Sequence, residues 1–583
     1  MYDLIIRNGT IIDGSRGPAY RADLAIQDGI IAAIGEIRER AREEIDATGM
    51  LVAPGWVDAH THLDGQVMWD SQLTPSCWHG VTTVVMGNCG VGFAPLKPGD
   101  QDRLIDIMEG VEDIPRATLS EGMDFEWETF PEYLDRIAAT PLVLDVAAQI
   151  PHSAVRLYVM GDRGARNEEA SPAEIGAMAE LVREGLEAGA VGFSSSRTKV
   201  HIGSDGNIVP GSFVTTDEML AFGEAIRKAG HGVFELASDV VTGMPEGMSN
   251  DNEFAWMTKL SKESGAPLSF PVIQPTDDPE VWRTIMARIE KASQDGANLV
   301  AQFAVRAVGM IMGWETSYHP FMGRPAYDAI ADLPIAERIG RLRDARTRRD
   351  ILSESSDRTA FPGVPNRYDS MFRLADDAGN LDYEPTADQC VQAIADRLGK
   401  PADEILYDML LENGGDSYIY VPLLNYAHRN LDMCYEAIQH PSAMVSLSDA
   451  GAHCGAICDA STPTFMLSFW TRDRSRGDKL SIEDAVWMQS RRTAEVYGLD
   501  DRGLIALGKK ADINVIDYDR LRILPPKLVQ DLPAGGMRLL QGAEGYRYTI
   551  VNGVITFEDG EATGAMPGGL VRKGQRQKVE AAA

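Results

Sequence analysis

The chain contains no long hydrophobic run and few cysteines, and these two shortages limit the classes of protein to which it can belong. No apolar stretch reaches the ~18–20 residues of a membrane span, and no basic start followed by an apolar segment marks a signal peptide. The six cysteines among 583 residues show no disulfide-framework spacing. We therefore expect reduced thiols and a cytoplasmic protein rather than a membrane or secreted one.

Basic residues are also scarce, because 55 Lys and Arg stand against 87 Asp and Glu, a net charge of −32. This balance argues against a nucleic-acid partner and against an anionic membrane surface. Glycine patterns of the Walker or dinucleotide-binding type do not occur between a strand and a helix. The sequence therefore disfavours nucleotide chemistry. Because closed symmetric assemblies are common among soluble proteins, a homo-oligomer is the default expectation for the assembly.

Histidine is rare as well, yet two of the ten histidines, His60 and His62, lie two positions apart after the apolar segment 50–57. If these residues close a strand, both side chains point to the same side of the sheet and the imidazoles converge. Neutral imidazole is a common ligand of catalytic divalent metals. The spacing alone leaves open a second interpretation, two half-buried histidines in a turn.

The order of elements along the chain predicts an α/β barrel. After short strands and turns over residues 2–35, apolar strands alternate with helices, and Ser171 and Glu174 form a capping-box pattern for a helix over 171–188. A further helix is predicted over 216–229. Eight strand–helix units imply a closed parallel barrel. The predicted strands lie near 55–60, 81–86, 142–148, 190–194, 232–236, 268–273, 298–304 and 444–449.

A long insertion separates the last two predicted strands, and it is too long for a simple loop. It contains helical patterns over 334–354, 387–398 and 402–411. We predict a (β/α)8 TIM barrel over residues 53–502, with a helical lid at 307–440 that folds over the barrel mouth. Residues 1–52 and 503–575 return to strand patterns and are expected to form one small β-sandwich domain.

Three segments carry a resemblance to a known family. Residues 53–62 read Ala-Pro-Gly-Trp-Val-Asp-Ala-His-Thr-His, and residues 446–453 read Ser-Leu-Ser-Asp-Ala-Gly-Ala-His. Both resemble strand ends of the amidohydrolase superfamily, the first strand and the last. Residues 85–90, Val-Met-Gly-Asn-Cys-Gly, resemble the second strand of the N-acyl-D-amino-acid deacylases (D-aminoacylases), and the strands at both chain ends resemble the flanking β segments of these enzymes.

The resemblance implies a zinc site held by His60, His62, Cys89 and Asp449 at the barrel mouth. Zinc would activate water, and Asp449 would take the proton and deliver it to the leaving nitrogen. Asp58 would orient a ligand imidazole. Two alternatives stay open: Asp449 as a helix N-cap and Cys89 as a small buried residue.

The deacylase pattern is incomplete in this chain. That family supplies a histidine after strand five and another after strand six, but residues 232–239 and 268–274 contain none. Lys199 lies just beyond strand four, where related enzymes bridge two metals with a modified lysine. We therefore expect one Zn²⁺, with two possible, and Glu235 or Asp239 as candidate substitute oxygen ligands.

Substrate-binding candidates follow strands three, four and seven. They are His152, Arg156, Arg197, His201 and Arg306. An arginine can bind a substrate carboxylate in two-point fashion, or it can form an ion pair with the surplus acids at the barrel rim. His152 is equally consistent with a structural hydrogen-bonding role. Trp314 and Tyr318 of the insertion either line an acyl pocket or pack the lid.

The expected function is hydrolysis of a small-molecule substrate at a non-peptide C–N amide bond. The resemblance to the deacylases implies an N-acyl-D-amino acid or a related N-acyl compound as that substrate. A hydantoinase-like hydrolase of cyclic amides or imides is the alternative within the same chemistry. The alternative from another class is a metal-free barrel that acts as an interaction scaffold, which the missing histidines of strands five and six make conceivable.

Overall fold

An eight-stranded parallel sheet forms the centre of the protein in a computed structural model, which describes residues 1–356, 367–376 and 378–574. Neighbouring strands follow one another in chain order, as right-handed strand–helix units require. Their inward residues are almost all buried. The strands are Trp56–Asp58, Val81–Met86, Asp145–Pro151, Gly192–Arg197, Val233–Ser238, Leu268–Pro271, Leu299–Phe303 and Ala443–Val445, hereafter barrel strands one to eight.

Strands one and eight meet through residues that lie just beyond their ends. Thr61 and Ala450 form a parallel bridge. The His62 amide donates to the Ala450 carbonyl at 2.8 Å, and the Asp449 amide donates to the His60 carbonyl at 3.2 Å. These contacts close the sheet, so the prediction of an α/β, TIM-like barrel is confirmed.

Helices follow the barrel strands as predicted. The Ser171 hydroxyl accepts from the Glu174 amide in a complete capping box, and the helix from Thr216 has the predicted bounds. The helices of the barrel are Gln101–Glu112, Arg116–Gly122, Phe130–Ala138, His152–Met160, Asp162–Ala165, Pro172–Ala188, Thr216–Ala229, Asn250–Ser264, Val281–Gln294, Asp432–Ile438, Thr462–Ser468, Ile482–Gln489 and Arg491–Val496. In the described ranges, no helix has both the length and the apolar character to cross a bilayer.

Some predicted strand bounds were wrong, and the differences matter for the site. Strand three begins at Asp145 rather than 142, because the Val143 amide bonds to Ser71 instead of a neighbouring strand. Strand one ends at Asp58 and strand eight ends at Val445. His60, His62 and Asp449 therefore lie on the loops that leave the strands and not on the strands themselves.

Both ends of the chain contribute to one nine-stranded sheet. Apolar side chains from the two ends of the chain pack together in this sheet, for example Ile6 with Val515 and Ile550. Its strands are Tyr2–Ile11, Tyr20–Gln27, Ile30–Gly35, Ala41–Asp46, Leu51–Pro54, Ile513–Ile516, Tyr546–Val551, Val554–Glu558 and Glu561–Ala562, and two short ribbons pair Arg522–Ile523 with Ala543–Glu544 and Lys527–Leu532 with Gly536–Leu540. The sandwich form stays a prediction, and position 575 lies outside the described residues.

The insertion between strands seven and eight, predicted as helical, combines helices with a sheet that the sequence did not indicate. Two of its strands, Val308–Met312 and Phe372–Arg373, each pair antiparallel with Ile419–Leu424. The predicted helix over 334–354 is two helices, because Asp344 caps a second start. The described helices are Pro325–Asp328, Ile335–Leu342, Ala345–Ser353, Val391–Leu398 and Ala402–Leu410, and positions 357–366 and 377 lie outside the described residues.

A separate hydrophobic cluster holds the insertion together. Trp314 stacks on Tyr327 with ring centroids 5.9 Å apart and meets Tyr407 edge-on at 5.2 Å. Tyr318 lies in the same cluster. Trp314 and Tyr318 therefore pack the insertion, which was one of the two roles considered for them. The position of the insertion as a lid over the barrel mouth stays a prediction.

Candidate metal centre

Three ligand-type side chains converge where strands one and two end. Ligand atoms of His60, His62 and Cys89 all lie within 4.8 Å of one another, and the three residues are buried. The closest approach joins Cys89 Sγ to His60 Nε2 at 3.4 Å. The predicted association of the histidine pair with the cysteine is therefore present in the fold.

Asp449 faces this group from the loop after strand eight. Its Oδ1 lies 3.5 Å from His60 Nε2 and 4.0 Å from His62 Nε2, and its side chain retains 25% exposure. Ligand atoms at the corners of a zinc tetrahedron are ~3.3–3.8 Å apart, given bonds of 2.0–2.3 Å. The Cys89–His60 and Asp449–His60 distances of 3.4 and 3.5 Å lie in this range, and the Asp449–His62 distance of 4.0 Å lies slightly above it. The mixed nitrogen, sulfur and oxygen donor set suits a Zn²⁺ ion.

The second nitrogen of each imidazole faces a polar side chain. His60 Nδ1 donates to Gln302 Oε1 at 2.7 Å, so Nε2 keeps a free lone pair on the side of Cys89 and Asp449. His62 Nδ1 lies 3.4 Å from Glu112 Oε1, and these two atoms do not form a hydrogen bond with each other. Hydrogen-bond partners fix the tautomer and orientation of metal-binding histidines, and Gln302 has this role for His60.

The sequence interpretation missed Gln302 and Glu112. Gln302 sits near the end of strand seven, next to last, and the rule that barrel sites use strand ends could have found it. Glu112 ends the helix Gln101–Glu112, which no motif marks. Asp58 differs from its predicted role, because it accepts from the His60 amide and the Ser448 hydroxyl and does not hold the imidazole.

Buried acids surround the group. Burial raises the pKa of Asp64 to about 7, of Glu235 to about 8 and of Asp449 to about 7, and it raises the pKa of Glu112 well above its ordinary value. Nearby acids add to the shift for Glu112, Glu235 and Asp449. Among the described residues, no lysine or arginine forms an ion pair with any of the four. A site so rich in carboxyl groups and poor in cations favours a bound metal ion.

Two of the ligand-type residues have an unusual backbone. Cys89 and Asp449 adopt the left-handed conformation, with φ of 57° and 47°. A residue other than glycine held in this region costs about 1–3 kcal/mol and persists where its surroundings fix it. The Cys89 amide donates to Glu235 Oε2 at 2.9 Å, and the Gly90 amide donates to Ser194 Oγ at 3.0 Å. The fold thus holds Cys89 in place through strands four and five.

The three arginines proposed for substrate binding are all in buried ion pairs. Arg156 contacts Glu218 at 2.7 Å. Arg197 binds both oxygens of Glu253, at 2.7 and 2.8 Å. Arg306 donates to Asp459 at 2.7 Å and lies 4.1 Å above the ring of Tyr383. These contacts correspond to the ion-pair alternative rather than to substrate binding.

His152 belongs to the same buried network as Arg156. Its Nε2 lies 2.9 Å from Glu218 Oε1 and its Nδ1 lies 2.8 Å from Ser195 Oγ. Both nitrogens are therefore satisfied inside the protein, which corresponds to the structural role considered for this residue.

His201 and Asp239 lie on the loops after strands four and five, and they differ in what they face. His201 Nδ1 lies 3.0 Å from Ser196 Oγ. Burial, with smaller contributions from His453 and His60, lowers the pKa of His201 to about 4, so these three histidines lie within electrostatic range of one another. The Asp239 oxygens instead accept from Thr198 Oγ1 and the Lys199 amide. Glu235 and not Asp239 is therefore the strand-five acid beside the metal ligands.

Comparisons with known proteins agree with this geometry. Residues 43–557 match the model of the amidohydrolase family. The chain is 27% identical to an uncharacterised protein of Mycobacterium tuberculosis over 619 residues, which cover 99% of this chain and 95% of the relative. It is also 39% identical to a D-aminoacylase of Alcaligenes xylosoxydans xylosoxydans over 197 residues, 33% of this chain and 37% of that enzyme.

A solved structure shares the fold along nearly the whole chain. It is the N-acyl-D-glutamate deacylase from Bordetella bronchiseptica, complexed with zinc and a phosphonate inhibitor that mimics the tetrahedral intermediate. The TM-score is 0.63 at 22% identity, and the alignment covers 98% of this chain and 99% of that one.

We predict that zinc stabilises the folded protein, because a cation offsets the mutual repulsion of the buried carboxyl groups and binds only where the fold assembles its ligands. Zinc at 1,000 times its dissociation constant would add about 4 kcal/mol. The measurement is the thermal unfolding midpoint of chelator-treated protein with and without added Zn²⁺. The His60→Ala variant is the control and should lose most of the zinc-dependent increase. Equal midpoints for the wild-type protein in the two conditions would contradict the site.

Proposed function

Because the chain belongs to the amidohydrolase family and is a metal-dependent hydrolase of C–N bonds other than peptide bonds, we propose that it cleaves N-acyl-D-amino acids or related N-acyl compounds. The products are a carboxylate and a free amine. The observation that carries this proposal is the convergence of His60, His62, Cys89 and Asp449 at one end of the barrel. The choice of substrate class rests on the resemblance to the deacylases.

The proposed cofactor is one Zn²⁺ ion held by His60, His62 and Asp449, with Cys89 as a further ligand. When bound, zinc supplies Lewis acidity, which lowers the pKa of water to about 7 and polarises an amide carbonyl. His60 and His62 contribute neutral nitrogens, because burial lowers the pKa of His60 to about 4 and that of His62 well below its ordinary value. Both imidazoles are thus free to bind a cation at neutral pH.

Asp449 carries the proton transfer in this proposal. Its carboxyl lies beside both imidazoles and is the part of the site with solvent access. It accepts the proton of the attacking water and then delivers that proton to the leaving nitrogen, which must be protonated to depart as an amine. One group serves both steps because the two protonation states of the carboxyl alternate within each turnover.

His201 is the proposed substrate contact among the five candidates. It lies near His60 and His453 at the site, whereas Arg156, Arg197 and Arg306 are each held in buried ion pairs.

The geometry of the site also disfavours the scaffold hypothesis. A chain that had lost its metal would have no reason to keep two oriented imidazoles opposite a carboxyl group.

We predict that Asp449→Asn lowers kcat by about 10²–10⁴-fold, because the amide cannot accept the proton of water. Turnover is measured at saturating zinc, and the metal content of the variant is determined in parallel. Asp239→Asn is the matched control, since Asp239 is a buried acid bonded only to neighbouring loop residues, and it should retain turnover within a few-fold. An Asp449→Asn enzyme with the wild-type rate would contradict the assignment.

A substrate screen tests the substrate class directly. We predict hydrolysis of N-acyl-D-amino acids in preference to their L-enantiomers, measured as amine released by the zinc-loaded protein. Dihydropyrimidine and hydantoin rings serve as the comparison set. Hydrolysis of ring substrates with no release of amine from any N-acyl-D-amino acid would reverse the proposal in favour of a cyclic amidase.

A further inference from the structure

Two buried polar side chains lie behind His60, on the side of the ring that faces away from Asp449. Gln302 of strand seven accepts from His60 Nδ1 at 2.7 Å. Glu235 of strand five has its Oε1 3.9 Å from the same nitrogen. Both side chains are fully buried. The ring therefore has one nitrogen among the metal ligands and the other between an amide and a carboxyl group.

Glu235 also contacts Cys89, the ligand-type residue that follows strand two. Its Oε2 accepts the Cys89 amide at 2.9 Å. Cys89 needs such a contact, because its left-handed backbone is unfavourable for a residue with a side chain. One carboxyl group thus contacts the Cys89 turn through one oxygen and lies beside the His60 ring through the other.

The free atoms of the pair complement each other. Glu235 Oε1 and Gln302 Nε2 are buried and form no hydrogen bond in normal geometry with the described residues. One is an acceptor and the other is a donor. Burial raises the pKa of Glu235, and the neighbouring Gln302 amide partly offsets that shift. The arrangement connects Glu235 of strand five and Gln302 of strand seven with His60 and Cys89, which lie on the loops after strands one and two.

We propose that Glu235 and Gln302 are positioning residues that set the His60 ring and the Cys89 thiol for a single metal ion. This inference rests on the proposed metal-dependent function. It gives a physical role to a strand-five residue, because strand five contains the carboxyl group of Glu235 and no histidine. Glu235 acts through His60 and Cys89 and does not itself bind the metal, since its oxygens face the Cys89 amide and the far side of the imidazole.

The test uses the full-length protein loaded with Co²⁺, whose absorption reports a bound thiolate as a sulfur-to-metal charge-transfer band. Wild-type protein should bind one metal ion per chain and show the band. Glu235→Ala should weaken metal affinity about 10–100-fold, measured by chelator competition, and should lose most of the band. Glu235→Gln should restore both to near wild type, because its amide oxygen still accepts the Cys89 amide.

The matched control is Asp239→Asn, which should leave the band and the affinity unchanged. If Glu235→Ala does not fold, Gln302→Ala provides the second variant. It should weaken metal affinity about 10-fold while it keeps the thiolate band, because the Glu235–Cys89 contact remains. Circular dichroism of each variant establishes that it is folded.

Several results would overturn the inference. Two metal equivalents in the wild-type protein, with one of them lost in Glu235→Gln, would show that Glu235 is a ligand of a second ion. An unchanged band and affinity in Glu235→Ala would show that His60 and Cys89 do not depend on Glu235. A wild-type cobalt protein without the band would show that there is no metal-bound thiolate to position. None of these readouts uses a substrate. A protein that passes them but hydrolyses no N-acyl compound would contradict the proposed function alone.

Discussion

The interaction on which the structure depends is the approach of two neutral imidazoles to one carboxyl group across the closure of the barrel. His60 and His62 lie on the loop that follows strand one, and Asp449 lies on the loop that follows strand eight. The backbone bonds that close the sheet run between these same residues, from the Asp449 amide to His60 and from the His62 amide to Ala450. Barrel closure and ligand placement are therefore one structural event, and a metal ion at this point would stabilise both.

The surrounding groups explain why the cluster needs a cation. Three buried carboxyl groups, the partly exposed carboxyl of Asp449 and a buried thiol lie around two imidazoles. Desolvation raises the pKa of each acid because it disfavours the charged form. A divalent ion bound among these acids favours their charged forms and so opposes the effect of burial on their pKa values. The arginines that could have supplied positive charge are instead paired with Glu218, Glu253 and Asp459.

The sequence predicted those features that depend on local pattern. The second strand and the helix Thr216–Ala229 have their predicted bounds, and the capping box at Ser171 is complete. The close group of His60, His62 and Cys89 was expected from the resemblance to the deacylases, whereas the local spacing alone indicated only that the two histidines converge. Asp449 faces it as expected, although it lies on the loop beyond its strand.

What the sequence could not predict depends on contacts between distant residues. Gln302 meets His60 across 242 positions, and Glu235 meets Cys89 across 146. The choice between ion pair and substrate contact for Arg197 depended on Glu253, 56 residues later. The sheet of the insertion pairs Val308–Met312 with Ile419–Leu424, and no local turn signal joins two strands so far apart.

X-ray absorption at the zinc edge of purified, active protein tests the central claim most directly. The account predicts a single zinc environment with two imidazole nitrogens and one sulfur at ~2.3 Å, the distance of a zinc–thiolate bond. The sulfur should disappear in Cys89→Ala, and the imidazole scattering should fall in His62→Ala. Full activity in protein that contains no metal, or a zinc shell without imidazole, would contradict it.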